Sequence, residues 1–282
     1  MSDLNPPFGT YALPAGHERA RAQAAGFKDS RLGRAGISFC RKRAMAGVKE
    51  PFDVSVAPGV NARLYPSENR CEKRAFAGVQ IWDAPERAAL EAAVNNGNSD
   101  PFVFLDVGAN VGLYSLFVNA YAVATKRTAR IIAIEPGLET CGRLEANIAA
   151  SNADVQIIRA AISDAPGTGH LGGGSENRGE ARLVSGGHDV EAVVVDTLAR
   201  ISRANGLTHI NAMKLDIEGH DLQALTGFFD DAPVRLHPAL LILETGREEI
   251  SPLIELCRVY GYSVSQRIGL NAILEKKSDV QT

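Results

Sequence analysis

With 282 residues, 22% of them charged and 45% hydrophobic, the chain has an ordinary globular composition and enough length for one large core plus a small appendage. A formal net charge of -3 argues against a nucleic-acid partner and against an acidic tail. No apolar run approaches a membrane span, the N-terminus lacks a signal-peptide core, and Cys40, Cys71, Cys141 and Cys257 show no C-x-x-C or metal-ligand spacing, so a cytoplasmic protein with free thiols and no bound metal is expected.

Residues 1–50 read as a basic, partly helical arm, with nine Lys or Arg against four Asp or Glu. Arg41, Lys42 and Arg43 suit a solvated helix face better than a polyanion site. Residues 51–98 follow as a β-hairpin, 52–57 and 60–65 around Pro58 and Gly59, and then a helix. Asp83 and Glu86 flank Ala84 and Pro85 in a capping-box pattern that starts this helix, which runs through Val94. From residue 99 to 282 the pattern alternates as an open α/β sheet requires. Strands are expected at 102–107, 130–135, 155–162, 212–216 and 239–244, with helices at 111–123, 139–150, 220–227 and 248–260. A glycine-rich stretch, 166–188, interrupts the alternation and is too flexible to pack as a regular element; it reads as a mobile flap over the site, which its position favours, or as an unstructured surface loop. Residues 191–195 resume as a strand, with Asp196 placed to N-cap a helix beginning at Thr197. A terminal antiparallel hairpin, 262–266 with 271–275, closes the chain.

The most informative segment is FVFLDVGANVG, residues 102–112, followed by Glu135 in RIIAIEP. A buried apolar strand runs into a loop whose Gly108 and Gly112 permit a tight turn and close backbone approach to a ligand. Glu135 ends the next strand, where a carboxylate can accept both hydroxyls of a ribose. The loop, G-x-N-x-G through Asn110, lacks the full dinucleotide fingerprint. Asp106 directly before it would repel a pyrophosphate but suits a sulfonium and an α-ammonium, which favours S-adenosyl-L-methionine over NAD. The alternative is a tight βα turn in which Asp106 caps the helix.

The motifs DVGANVG, IEP, AISD, KLDIEGHD and ILE occur in this order, and over about residues 78–276 the chain resembles the FkbM family of S-adenosylmethionine-dependent methyltransferases. The resemblance implies a class I methyltransferase (Rossmann-like) fold: a mostly parallel sheet ending in an antiparallel hairpin. It also implies methylation of a hydroxyl oxygen on a sugar, glycan or secondary metabolite. It further places the adenine beside Ala161 and Ile162, with Asp164 either at its amino group or merely starting a turn.

Methyl transfer to oxygen is an in-line displacement that needs alignment and a way to remove the hydroxyl proton. On an extended strand, Lys214, Asp216 and Glu218 point to one side. Asp216 is the candidate for contacting the methionine ammonium or orienting the acceptor, with an ion pair to Lys214 as the alternative. His220 is the candidate general base, with a helix-capping role as the alternative, and Glu218 is a further catalytic candidate. Glu244 ends the fifth strand near the same edge, a candidate for binding acceptor hydroxyls or for capping the turn through Gly246; only convergence of Asp216, Glu218 and Glu244 would offer a Mg²⁺ site for a diol acceptor. The competing functions are a dinucleotide-binding oxidoreductase and a catalytically inactive cofactor-binding protein.

Overall fold

A computed structural model describes residues 6–97, 99–172, 182–184, 191–217, 219–246 and 251–277. The arm holds α1 (Ala15–Ala22) and α2 (Arg31–Met45). The hairpin is β1 (Phe52–Ala57) with β2 (Val60–Leu64), and it is followed by α3 (Arg70–Phe76) and α4 (Ala84–Asn96). The core then adds β3 (Phe102–Val107), α5 (Leu113–Ala124), β4 (Ala129–Ile134), α6 (Leu138–Ser151), β5 (Val155–Ile158), β6 (Ala161–Ile162), β7 (Gly167–Gly172), β8 (Arg182–Val184), β9 (Glu191–Asp196) and α7 (Leu198–Ala204). It ends with β10 (Ala212–Leu215), α8 (Asp221–Asp231), β11 (Leu240–Glu244), α9 (Pro252–Val259), β12 (Tyr262–Ile268) and β13 (Asn271–Lys276).

The main sheet has the order β12-β13-β11-β10-β3-β4-β5. Pairs among β11, β10, β3, β4 and β5 are parallel, and β13 runs antiparallel to both β11 and β12. This is the class I methyltransferase sheet. Chain order reverses between β3 and β10, so a crevice opens beyond the carboxyl ends of those two strands.

All six residues of β3 are buried because both faces of the sheet are covered. Phe102 and Phe104 pack with Leu113 and Leu116 on one face, while Val103, Leu105 and Val107 pack with Leu198, Met213 and Phe228 on the other. Each such side chain contributes about 1.5–3 kcal/mol of transfer free energy. The alternation that sorts these residues also puts Asp106 on the α5 face, with consequences for its role.

Four expectations change. The strand expected at 155–162 is two strands: β5 pairs with β4, whereas β6 pairs with β9 in a second sheet of order β6-β9-β7-β8. Within the glycine-rich stretch, residues 167–172 and 182–184 are strands of that second sheet, so part of it does pack regularly; the remainder lies outside the described residues. The cap of α7 is Thr197, whose hydroxyl accepts from the Arg200 N–H at 3.2 Å, while Asp196 accepts from the Thr197 N–H at 2.8 Å. The last helix of the core begins at Pro252, and the expected start at 248 lies outside the described residues. Among the described residues no helix is long and apolar enough to cross a membrane.

Candidate active site

A cavity of about 1090 Å³ lies at the carboxyl ends of β3, β4 and β10 and reaches under the arm. Gly108, Asn110, Glu135, Ala161, Ile162, Asp216 and His220 line it, as does Glu244. Asp106, Gly112 and Asp164 do not, and Glu218 lies outside the described residues.

Asp106 is fully buried beneath the first turn of α5. Its Oδ2 accepts from the Ser115 N–H at 3.0 Å and from the Ser115 hydroxyl at 2.7 Å, the helix-capping role given above as the alternative. Burial raises its pKa against the pull of Lys214. Strand register sets Lys214 beside Asp106, and the Lys214 ammonium continues to Asp216 at 3.2 Å and to the Gly108 carbonyl at 3.0 Å. Burial works against this ammonium, but Asp216 and Asp106 outweigh it and hold its pKa above the usual value. In return Lys214 keeps Asp216 below the usual carboxylate range, and a side-chain hydrogen bond from Glu244 acts in the same direction. Asp216 therefore forms the ion pair and also faces the cavity.

The glycines also have a packing role beside the one expected, and Gly108 lines the cavity. Gly108 has φ +71°, and a Cβ there would stand 1.9 Å from the Asp216 carbonyl oxygen. At Gly112, φ is +84° and a Cβ would lie 2.2 Å from Leu144 Cδ1. Both glycines let neighbouring protein approach, β10 in one case and α6 in the other.

Glu135 sits at the end of β4, where its Oε2 accepts from the Asn110 N–H at 2.9 Å and its Oε1 from the Gly137 N–H at 3.1 Å. Burial pushes it up to about 7, with those two hydrogen bonds opposing. Asn110, at φ +53°, is fixed from the other side by Asn69, whose side-chain amide donates to Asn110 Oδ1 at 2.9 Å. The loop after β10 is braced by Asp221, which accepts from the Ile217 and Gly219 N–H groups, each at 3.3 Å. His220 occupies the N-cap position of α8 without a capping side-chain bond, and its ring has no hydrogen-bond partner among the described residues. Asp164 is exposed beside Gly227 of α8, and its carboxylate accepts from Ser163.

Residues absent from the sequence-based site form the opposite wall: Trp82, Asp83, Glu86, Tyr114 and Asn271. The signal was present in the capping-box pattern, but neither acid caps α4. Asp83, at φ +43°, makes no capping bond and instead accepts from the Tyr114 hydroxyl at 3.1 Å and pairs with Arg74 at 3.3 Å. Glu86 Oε1 accepts from the Asn271 amide at 2.8 Å.

The family model described as "Methyltransferase FkbM domain" matches residues 106–264, more than half of the chain and the whole span from Asp106 into β12. The chain belongs to the FkbM methyltransferase family. It is also similar to the AMB antimetabolite synthetase AmbE of Pseudomonas aeruginosa, at 28% identity over 61% of this chain; the chain spans about a tenth of that relative's length. Among solved structures it resembles a precorrin-6y C5,15-methyltransferase from Geobacter metallireducens (12% identity, 68% of this chain and 87% of that one, TM-score 0.41). Another is a SAM-dependent methyltransferase from Agrobacterium tumefaciens (15%, 83% and 73%, TM-score 0.45). The fold assignment of this family member rests on its own strand order.

Proposed function

We propose that this FkbM protein binds S-adenosyl-L-methionine across the ends of β3 and β4 and methylates a hydroxyl oxygen of a small acceptor, such as a sugar, glycan or secondary metabolite. The observation that carries the reading is one cavity joining Glu135 to Asp216 and His220 at the reversal point of the sheet. The residues fit the cofactor. Each Glu135 oxygen takes one backbone N–H, which leaves acceptor capacity for the ribose hydroxyls. Ala160, Ala161 and Ile162 offer an apolar flank for the adenine, and Asp216, held ionised by Lys214, offers a counter-charge for the ammonium.

Bound there, the cofactor supplies an electrophilic methyl group on a sulfonium. His220 takes the proton of the attacking hydroxyl, and Asp216 orients the reacting groups beside it. Calorimetry with S-adenosylhomocysteine and NAD, followed by transfer of labelled methyl groups into a panel of hydroxylated acceptors, tests the reading. Micromolar binding of S-adenosylhomocysteine without NAD binding supports it. NAD binding with no response to S-adenosylhomocysteine overturns it, and cofactor binding without transfer to any acceptor identifies a catalytically inactive member.

A further inference from the structure

Glu86 is 1% exposed, lines the cavity, and holds a carboxylate that is half satisfied. Its Oε1 takes the Asn271 amide, while its Oε2 is buried with no hydrogen-bond partner among the described residues. A carboxylate in that condition is costly to the folded protein by itself, and it lies in the first turn of a helix whose N-terminus it does not cap. Both signs of charge line the cavity, and three of the cations have acidic partners of their own: Arg74 pairs with Asp83, Lys214 with Asp216 while also donating to the Gly108 carbonyl, and Arg34 with Asp29; Lys28 and Arg70 line it as well. Asn271 is the register partner of Glu244 across β11 and β13, so the Glu86 wall and the Glu244 strand end are tied directly together. Trp82 and Tyr114, in edge contact at 5.3 Å, complete the wall.

Building on the methyltransferase reading, we infer that the acceptor carries an ammonium group beside its hydroxyl, as an amino sugar or amino alcohol does, and that Glu86 receives that ammonium. A neutral polyol would donate a hydrogen bond to Oε2 but leave the buried charge uncompensated; an ammonium supplies both donor and counter-charge. An acidic acceptor meets repulsion on this wall. On the arm side of the cavity, Arg34 is bonded to Asp29 at 2.5 Å.

The test uses matched probes, glucosamine with glucose and 2-amino-1,3-propanediol with glycerol, titrated into the full-length protein saturated with S-adenosylhomocysteine. The amines should bind at least tenfold tighter than their neutral partners, and Glu86→Gln should remove that preference while leaving S-adenosylhomocysteine affinity unchanged. Glu86→Gln keeps an acceptor for Asn271 and removes the buried charge, so the ligand-free variant should melt at a higher temperature than wild type. If Glu86 serves only to hold the Asn271 turn, melting would be unchanged or lower and the preference would survive. Equal or weaker binding of the amines, or no binding of any amine by a protein that binds S-adenosylhomocysteine, overturns the inference and leaves the methyltransferase reading standing. Failure to bind S-adenosylhomocysteine removes that reading itself.

Discussion

The two walls of the cavity are built in opposite ways. On the β3–β4 side the acids are held by backbone N–H groups: Asp106, which supports this wall without lining it, caps α5 nine residues on, and Glu135 accepts from Gly137, two residues on, and from Asn110, 25 residues back in the loop after the adjacent strand. On the α3–α4 side, Asp83 and Glu86 leave their local capping partners for Tyr114 and Asn271, residues 31 and 185 positions away. The first wall's acids depend on strand position and on backbone of the loops beside it, whereas the second's depend on side chains brought in from other elements. Backbone donors thus hold the acids of the first wall, and side-chain donors hold those of the second.

The largest effect should come from the first wall's tightest point. Gly108→Ala places a Cβ 1.9 Å from the Asp216 carbonyl oxygen, a backbone atom, at a φ that alanine disfavours. Strand β10 must shift, and we expect a loss of more than about 4 kcal/mol of stability or failure to fold. Chemical denaturation measures it; a variant that is folded and stable but cannot bind S-adenosylhomocysteine would instead show that this glycine makes room for the ligand.

Next comes the chemistry shared by both walls. His220→Ala should lower turnover by roughly 10² to 10⁴ with little change in cofactor affinity. Asp216→Asn should weaken both, because Lys214 loses the partner that holds it in place. Single-turnover transfer and calorimetry separate the two outcomes. Equal turnover in His220→Ala and wild type would move the proton to another acceptor.

These expectations also mark what could be read from the sequence. Strands β3, β10 and β11 and the final hairpin were legible within a residue or two at most ends, because long buried runs and alternation leave few other arrangements. Glu135 was legible as a cavity residue because it follows such a strand. The break between β5 and β6 was not. Residues 155–162 look like one strand locally, but Arg159 turns the chain by donating to the Pro136 carbonyl and pairing with Glu191, contacts 23 and 32 residues away. Asp83 and Glu86 were misread for the same reason: a capping box is a local preference, and the partners that override it come from α5 and β13.

A difference in pH response should distinguish the buried acids of the two regions from ordinary surface ones. Burial raises Glu135 and Glu72 from 4.5 to about 7 each, so between those values the folded protein binds more protons than the unfolded chain. Stability from both groups is fully present below about pH 4.5 and is lost as pH rises through 7, on the order of 1–3 kcal/mol per carboxyl. Melting of the ligand-free protein across this window, compared with Glu135→Gln and Glu72→Gln, measures each share. Cofactor affinity should move the opposite way and strengthen as pH rises through 7, because ribose hydroxyls donate best to the ionised form. A flat affinity profile would place the ribose elsewhere.

The smallest expected effect tests whether the two walls communicate at all. Asn69 caps α3 by accepting from the Cys71 and Glu72 N–H groups, and its amide donates to Asn110 in the loop after β3. Serine keeps an oxygen for the cap but cannot donate across to Asn110 in the same way, so Asn69→Ser separates the two roles. Stability should change by only a few tenths of a kcal/mol. The Asn110 N–H that helps hold Glu135 should become less well fixed, and affinity for S-adenosylhomocysteine should fall by about 0.5–1.5 kcal/mol, the worth of one hydrogen bond. Asn69→Ala removes cap and tether together and should add about 1 kcal/mol of lost stability to that affinity loss. If calorimetry shows wild-type affinity in Asn69→Ser, the loop holds its left-handed turn without help from α3, and the arm side shapes acceptor binding alone.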